Sequence, residues 1–508
     1  MRFKYLMLSS LLTAGVLTSC SDFMDTVDTS NVNKEQVADV LQRSPSAIVY
    51  GIYSRMTSYA FDASSHDDFG QRSLDLSVDM MNTDIVHYMN QQWFVFDYNM
   101  DNRASNYRRA RRQWKYCYAN IADANTIINS IPADTNDPTL KALLGEALSL
   151  RAHHYFLLVN VFQTAGTWSE VKGKPGVPLY SEFNMDGAPR GTVENVYNQM
   201  VSDLDRAIPL LDGFVDSEKG RVTQRVAKQM RARVAMYMED YSTARTLASE
   251  VISGVSLMSP AQYQGGFCRV SMSEATWGQV MTSENSTFYA SFFSMMDNFA
   301  AGYAGALQQF KCIDRSLYDA MDVNDARKGC FYNGNAEFEA GTRVGSAPYG
   351  ANAGNKAPYL GAKFIDYKGG FTADYIYTRV AEMYYVKAEA EARLGNETDA
   401  KATLDAISNA RAINGTHSYT WASGTALLDQ IFLHYRMEMW GEGMVQYEYN
   451  RLKKTIDRTY SGTNHPIGNI LDGGGDRPIE WGNRIRIIQI PNAELEGNPN
   501  INEGDQNP

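Results

Sequence analysis

The stretch Thr192-Val193-Glu194-Asn195-Val196-Tyr197-Asn198-Gln199-Met200-Val201-Ser202-Asp203-Leu204-Asp205-Arg206-Ala207-Ile208-Pro209-Leu210-Leu211 decides the fold class. Its apolar residues Val193, Val196, Tyr197, Met200, Leu204, Ile208 and Leu211 recur every three or four positions, which places them on one face of a helix. Thr192 offers an N-cap oxygen, and Pro209 marks the fraying end. The same period extends outward in both directions. Residues 222–238 read as a helix, Glu239-Asp240-Tyr241 as a break, and Ser242 as the cap of a second helix through Ala244, Leu247, Ala248, Val251 and Ile252. Residues 377–394, the break Gly395-Asn396 and residues 400–410 repeat the arrangement. Two more pairs are 107–131 with 140–162, and 426–440 with 442–456. Small residues at the crossings (Ala244, Ala248, Ala388, Ala390, Ala392) let paired helices approach, a pattern that resembles the tetratricopeptide repeat without its regular period of about 34 residues. The predicted fold class is therefore mostly α: tetratricopeptide-like helix pairs forming a curved helical scaffold, with long loop-rich insertions carrying little β. The insertions fall at about 61–106 and 254–370, the second holding the glycine-dense stretch 333–354. The tail after Tyr460 is also irregular, with Asp472-Gly473-Gly474-Gly475-Asp476.

The N-terminus has basic residues Arg2 and Lys4, an apolar run over 5–17, and Leu17-Thr18-Ser19 before Cys20. That is the layout of a signal peptide. The run of about thirteen residues is shorter than the ~20 needed to cross a bilayer. Ser19 and the aliphatic residue three positions before the cysteine resemble a bacterial lipobox, so the expected organisation is a lipoprotein signal peptide over 1–19, a lipid anchor at Cys20 and a single domain over 20–508. Ser21-Asp22-Phe23-Met24-Asp25 resembles the surface-export tags of Bacteroidetes lipoproteins.

A chain of 508 residues far exceeds the ~150 of an average domain and can bury a large core. A net charge of −11 argues against general affinity for nucleic-acid phosphates. Arg103, Arg108, Arg109, Arg111, Arg112 and Lys115 run against that trend, and are read as ion pairs with the acidic body in preference to an anion site. Cys117, Cys268, Cys312 and Cys330 lack the spacing of a zinc site and are expected to be mostly buried thiols. No GxSxG, HExxH, Walker loop or strand-borne GxGxxG is present. His153-His154 diverge on a helix. His434 and Glu438 share a helix face but lack a third ligand. His66-Asp67-Asp68 reads as a turn, and Asp322, Asn324 and Asp325 lack the glycine and terminal glutamate of an EF-hand. The 58 acidic residues offer carboxylate pairs that no local signal selects for glycoside hydrolysis. No catalytic residue, metal or cofactor is expected.

Binding leaves more trace. The chain carries 31 tyrosines, 21 phenylalanines and 7 tryptophans. Sugars stack their C–H faces on aromatic rings while polar groups bond the hydroxyls, which needs aromatics on loops. Trp93 within Asn90-Gln91-Gln92-Trp93-Phe94, Trp277, Tyr289 and Tyr303 meet that condition and are the candidate glycan-binding residues. Core packing is the competing reading for each. Trp114, Trp440 and Trp481 lie in periodic or strand-like context and are read as structural.

Several segments together resemble the SusD/RagB family of Bacteroidetes outer-membrane lipoproteins. The strongest is Gly145-Glu146-Ala147-Leu148-Ser149-Leu150-Arg151-Ala152-His153-His154-Tyr155-Phe156, followed by Gly176-Val177-Pro178-Leu179 and Arg190-Gly191-Thr192. Further on come Asp314, Ser316, Leu317, Tyr318, Asp325 and Arg327, the helix over 379–394, and Arg436, Glu438, Glu442, Gly443 and Arg451. Ile488-Gln489-Ile490-Pro491 and Asn498-Pro499-Asn500 complete the order. Met444 and Val445 depart from a common His-Arg pair, and the chain stops at Asn507-Pro508 where a further glycine and aromatic often follow. The resemblance implies a non-enzymatic lipoprotein of the outer membrane, lipid-anchored at the cell surface. It would bind a polysaccharide or oligosaccharide and deliver it to a SusC-like TonB-dependent transporter. Binding regions carry over from the family, individual positions do not. The alternatives are a peptide-capturing member of the same family, a lipid-anchored glycoside hydrolase, and a helical scaffold that binds only protein.

Overall fold

The helical period of the sequence becomes a row of helices packed in chain order. The computed structural model describes residues 46–88, 93–182, 186–332, 359–466 and 478–508. The expected signal peptide, Cys20, Asn90-Gln91-Gln92, the stretch 333–354 and the run 472–476 lie outside them. The principal described helices are α1 (Ala47–Thr57), α2 (Gln71–Asp79), α3 (Arg108–Ser130), α4 (Pro138–Phe162), α5 (Val193–Leu210), α6 (Gln224–Tyr237), α7 (Tyr241–Ile252), α8 (Val380–Arg393), α9 (Glu397–Arg411), α10 (Thr425–Met439) and α11 (Val445–Arg451). Each helix from α3 to α8 packs on the next, and α8 also meets α10.

Local sequence explains these helices. Thr192 Oγ accepts the Asn195 N–H at 3.1 Å while Asn195 Oδ1 accepts the Thr192 N–H at 2.9 Å, a reciprocal cap that starts α5. The stripe Val193, Val196, Tyr197, Met200 and Leu204 is buried. From Ala142 onward α4 is buried on every side, as expected of a helix flanked by two others. Gly145 admits α5 at close range, because a Cβ there would stand 2.7 Å from Leu211 Cγ. Ala244 and Ala248 on α7 and Ala388 and Ala390 on α8 are likewise buried at the crossings.

Short strands are β1 (Ile85–His87), β2 (Pro175–Pro178), β3 (Arg190–Thr192), β4 (Ala275–Gln279), β5 (Lys311–Ile313), β6 (Phe331–Tyr332), β7 (Leu360–Gly361) and β8 (Tyr375–Arg379). One sheet has the order β1-β5-β7-β6. Its β1 comes from the first loop-rich region and the other three strands from the second, with Ile85 opposite Ile313 and Val86 opposite Cys312. The two insertions are thus hydrogen-bonded to each other. The fold is mostly α with little β.

Three boundaries differ from the sequence reading. Residues 375–379 are strand, not the start of the helix read from 377, because Tyr-Ile-Tyr-Thr pairs antiparallel with β4 and suits a buried ladder. The cap of α7 is Asp240, two residues ahead of Ser242, and its carboxylate accepts the Thr243 N–H. Residues 442–456 give only the short α11, preceded by Gly441 at φ +75° and Gly443 at φ +89°. Gly443 could carry no side chain, since a Cβ would overlap the Asp75 side chain on α2.

Candidate functional site

Three of the four aromatic candidates meet around a residue that sequence reading left as a turn. His66 sits in a turn before α2, and its ring lies 5.6 Å from Trp93, 5.7 Å from Tyr303 and 6.3 Å from Tyr289, centroid to centroid. The His66 and Tyr289 rings are stacked, and Tyr303 meets Trp93 edge to face at 6.1 Å. His66 Nδ1 and the Tyr303 hydroxyl are hydrogen-bonded at 2.7 Å. Tyr289 is 51% exposed, while Trp93 and Tyr303 are partly buried.

The backbone presents these rings deliberately. Trp93 precedes the short helix Val95–Tyr98, which is bracketed by Phe94 at φ +69° and Met100 at φ +54°. Left-handed backbone at a non-glycine residue costs about 1 kcal/mol or more and persists where the surroundings enforce it, often at ligand sites. Tyr303 is tied to the short helix Phe292–Met296, its N–H donating to Ser294 Oγ at 3.2 Å. That approach needs Gly302, where a Cβ would meet Ser294 Cα at 2.7 Å.

Trp93 and Tyr303 also line a cavity of about 540 Å³, where Phe94, Phe96 and Tyr107 complete an apolar wall. Phe96 and Tyr107 are large aromatics left exposed at its rim. Its other wall is the first turns of α3. Arg108 pairs with Asp67, Arg112 reaches the same carboxylate at 3.2 Å, and Arg109 Nε donates to Asp97 Oδ1 at 2.8 Å. Burial pushes the Asp67 carboxyl up, but Arg112 and Arg108 overcome it and hold it below its ordinary value. The ion-pair reading of the basic cluster therefore holds for these three arginines, and for Arg111 with Asp62 at 2.9 Å. Arg103 instead donates to the carbonyls of Arg484 and Ile487.

The pairing is incomplete. Trp93 Nε1, Arg108 Nη1, Arg109 Nη2 and Arg112 Nε are buried donors without a protein partner, and Asn102 Oδ1 is such an acceptor. All five belong to residues lining this cavity. A buried polar group left unpaired costs about 1–3 kcal/mol, so such groups are ordinarily met by water or ligand. These five atoms are enclosed behind the cavity surface, and it is the aromatic rings with charged and amide side chains beside them that suit a flat, hydroxyl-rich molecule.

Trp277 is a correction. It lies on β4 with no exposed surface, edge-on to His153 at 5.2 Å and tilted on Tyr377 at 5.0 Å. Both faces of β4 are buried from Ala275 to Gly278, so Trp277 offers no face to a ligand. Sequence reading also missed His66, Phe96, Tyr107, Asp97 and Asp101. Only their nearness to Trp93 and the basic run could have flagged them, because the Tyr303 side of the site arrives from more than two hundred residues away.

The remaining polar motifs are engaged within the fold, although His153 Nδ1 and His154 Nε2 are left without a partner. His154 Nδ1 bonds Leu150 O at 2.7 Å and His153 Nε2 bonds Gln71 Oε1 at 3.1 Å. Asp325 is bound by Arg327 and by the Tyr419 hydroxyl. Among the described residues no group of His, Cys, Asp and Glu is placed to hold a metal ion, and Cys117, Cys268, Cys312 and Cys330 are buried free thiols.

The family model described as SusD-like, starch-binding associating with outer membrane, matches residues 50–236, and the SusD family model matches residues 286–508. No curated protein matches the chain significantly. Solved structures share the fold. A SusD-like carbohydrate-binding protein from Bacteroides vulgatus is 21% identical, with 92% of this chain and 98% of that one covered and a TM-score of 0.76. A SusD superfamily protein from Bacteroides thetaiotaomicron is 22% identical, covering 93% and 99%, with a TM-score of 0.72. Surface glycan-binding protein A from Bacteroides thetaiotaomicron, solved with laminarihexaose, is 18% identical, covering 92% and 99%, with a TM-score of 0.65. With two models of one family matching in succession along the chain and the fold shared with its solved members over nearly all of it, the chain belongs to the SusD/RagB family.

Proposed function

We propose that this protein is a cell-surface lipoprotein that captures a polysaccharide or oligosaccharide at the Trp93 cavity and passes it to a SusC-like TonB-dependent outer-membrane transporter, without cleaving it. The observation that carries the binding role is the convergence of Trp93, Tyr289, Tyr303 and His66, with Trp93 and Tyr303 lining a cavity together with Asp101, Arg108, Arg109 and Arg112. Trp93 and Tyr303 would stack on sugar faces, Tyr289 would extend that platform, and the arginines and Asp101 would bond hydroxyls. The export layout of residues 1–19 with Cys20 supports lipid anchoring of the domain over 20–508, and two or three acyl chains suffice for stable attachment. The description of the matching family model, associating with outer membrane, agrees with that address.

Affinity electrophoresis against a panel of polysaccharides tests the reading. Retardation by one of them, without release of reducing sugar, is expected, and Trp93→Ala should abolish it while leaving the circular dichroism spectrum unchanged. Release of sugar, or retention that survives the loss of Trp93, would overturn it. Metabolic labelling with a fatty acid, lost in Cys20→Ala, tests the anchor. Co-purification with the transporter encoded nearest to this gene tests delivery.

A further inference from the structure

We infer that the glycan's footprint does not end at the Trp93 cavity but continues around α3 into a second subsite built on Tyr118 and Tyr180, so that this protein selects long chains over short ones. The inference rests on the glycan-binding reading above and adds a site to it.

The second subsite is a cleft of about 790 Å³ between α3, Tyr180 and the segment from Pro491 to Glu494. Tyr118 and Tyr180 are partly exposed and stand edge to face at 5.5 Å, with Trp114 5.0 Å behind Tyr118. The rings are held in place before any ligand arrives. The Tyr118 hydroxyl donates to Pro178 O at 2.8 Å, the Tyr180 hydroxyl accepts the Ala188 N–H at 3.2 Å, and the Tyr180 backbone is fixed by its N–H donating to the Tyr155 hydroxyl at 2.8 Å and by Asn125 Nδ2 donating to its carbonyl at 2.9 Å. A prepositioned aromatic wall binds without paying for side-chain ordering. Ala119 and the exposed Ala122 leave the floor open. Around this wall stand half-exposed Arg111 and Lys115 with Asp62, and Glu494, which accepts Trp114 Nε1 at 3.0 Å. Opposite charges interleaved with aromatic faces offer donors and acceptors to hydroxyls with little net field, the chemistry of a saccharide site.

Continuity with the first cavity comes from the helix itself. Arg108 and Arg112 face the Trp93 cavity and pair with Asp67, while Arg111 and Lys115 face the second cleft and pair with Asp62 five residues earlier in the same loop. The two hollows therefore share one wall. From Arg109 to Tyr118 the helix advances about 13 Å at 1.5 Å per residue, a span that one sugar ring cannot bridge and a chain of several can. Occupying both converts the second contact into an intramolecular one, so affinity should climb once a chain is long enough to reach.

The probe is a ladder of laminari-oligosaccharides of two to eight units. If laminarin is not retained on the panel, the probe is the size-fractionated partial hydrolysate of the polysaccharide that is. Titration calorimetry on the full mature chain should show at least a tenfold gain in affinity between the shortest and longest members. Ala122→Arg, which fills the floor of the cleft on an exposed helical position, should erase the gain and leave the shortest binder unchanged, and Tyr180→Ala should act in the same direction. Equal affinity at every length in the wild type, or a gain that persists in both variants, overturns the second subsite alone. A wild type that binds no member of any ladder overturns the glycan-binding reading with it.

Discussion

The indole of Trp277 donates to Gly220 O at 3.3 Å while its ring is enclosed by His153 and Tyr377. Truncating a buried aromatic of this size costs about 3–5 kcal/mol, so Trp277→Ala should lower the urea midpoint sharply, whereas Trp93→Ala should barely move it. Similar midpoints for the two would show that burial does not separate them. A second buried residue reports through pH. Asp79 has its Oδ2 bonded by the Gly443 N–H at 2.7 Å, and burial pushes its carboxyl up to about 8. An unfolded aspartate releases its proton near 4, so between about 4 and 8 the folded chain binds more protons and stability falls as pH rises, by ~1.4 kcal/mol per unit. Asp79→Asn keeps the acceptor and fixes the neutral form. Its stability relative to wild type should grow steadily from pH 5 to pH 8, and a difference independent of pH would rule the assignment out.

At the scale of elements, α5 depends on its first turn. The reciprocal bonds of Thr192 and Asn195 satisfy helix-end donors that no tertiary contact covers, and Thr192→Ala should cost about 1 kcal/mol, seen as a fall of a few degrees in the melting temperature. No change would mean that packing against α4 alone holds the end. The helix α3 shows why element identity does not fix element role. Its buried side carries Cys117, Ile121 and Ala124 into the core, yet its first turns form the polar wall of the Trp93 cavity. The period in residues 107–131 is enough to predict a helix, but which of its charged positions face a cavity depends on the loop holding Asp62 and Asp67. The stretch 375–379 makes the complementary point. Its apolar residues are compatible with the helical period that follows, and only a partner strand some hundred residues earlier makes it β.

In the whole molecule, a buried ion network joins the large insertion to the helical row. Arg379 bonds Glu274 at 2.8 Å and Glu438 at 3.1 Å, and Arg411 bonds Glu438 and Glu274 at 2.9 Å each. Burial works to raise the Glu438 carboxyl, but Arg411 and Arg379 outweigh it and hold it far below its ordinary value. Removing one partner leaves charges buried and uncompensated, and Glu438→Ala should cost about 3–5 kcal/mol in denaturant unfolding. A loss within the range of surface substitutions would show the network to be dispensable. The same balance sets the acid response. Burial lowers His154 to about 4, His434 to about 3 and His153 well below its ordinary value, so their contribution, present above pH ~6.5, is lost as pH falls. Burial raises Asp75 and Asp297 to about 6 and Asp79 to about 8, and these gain as pH falls toward 4. The opposing terms predict a nearly flat urea midpoint from pH 6 to pH 4, then a steep drop as Glu438 and the other arginine-held carboxylates protonate. A steady decline beginning at pH 6.5 would contradict it.

The sequence by itself determined the helices from α3 to α10 and their order, since amphipathic period, caps and small crossing residues are local and suffice to commit most of these segments. It also placed the candidate binding aromatics in the loop-rich regions, because Trp93, Tyr289 and Tyr303 interrupt polar stretches with no period to bury them. Tertiary structure alone decided which aromatic faces outward. Trp277 and Trp93 both follow irregular segments, and the full burial of one against the partial burial of the other is set by β8 pairing with β4 and by His66 meeting Tyr303. It alone decided, too, that Arg108, Arg109 and Arg112 keep donors unmet, because the geometry of Asp67 and Asp97 satisfies only part of each guanidinium. Period reports what one element does to its own residues, while a site is made where elements distant in sequence meet, and that distance carries no local signal.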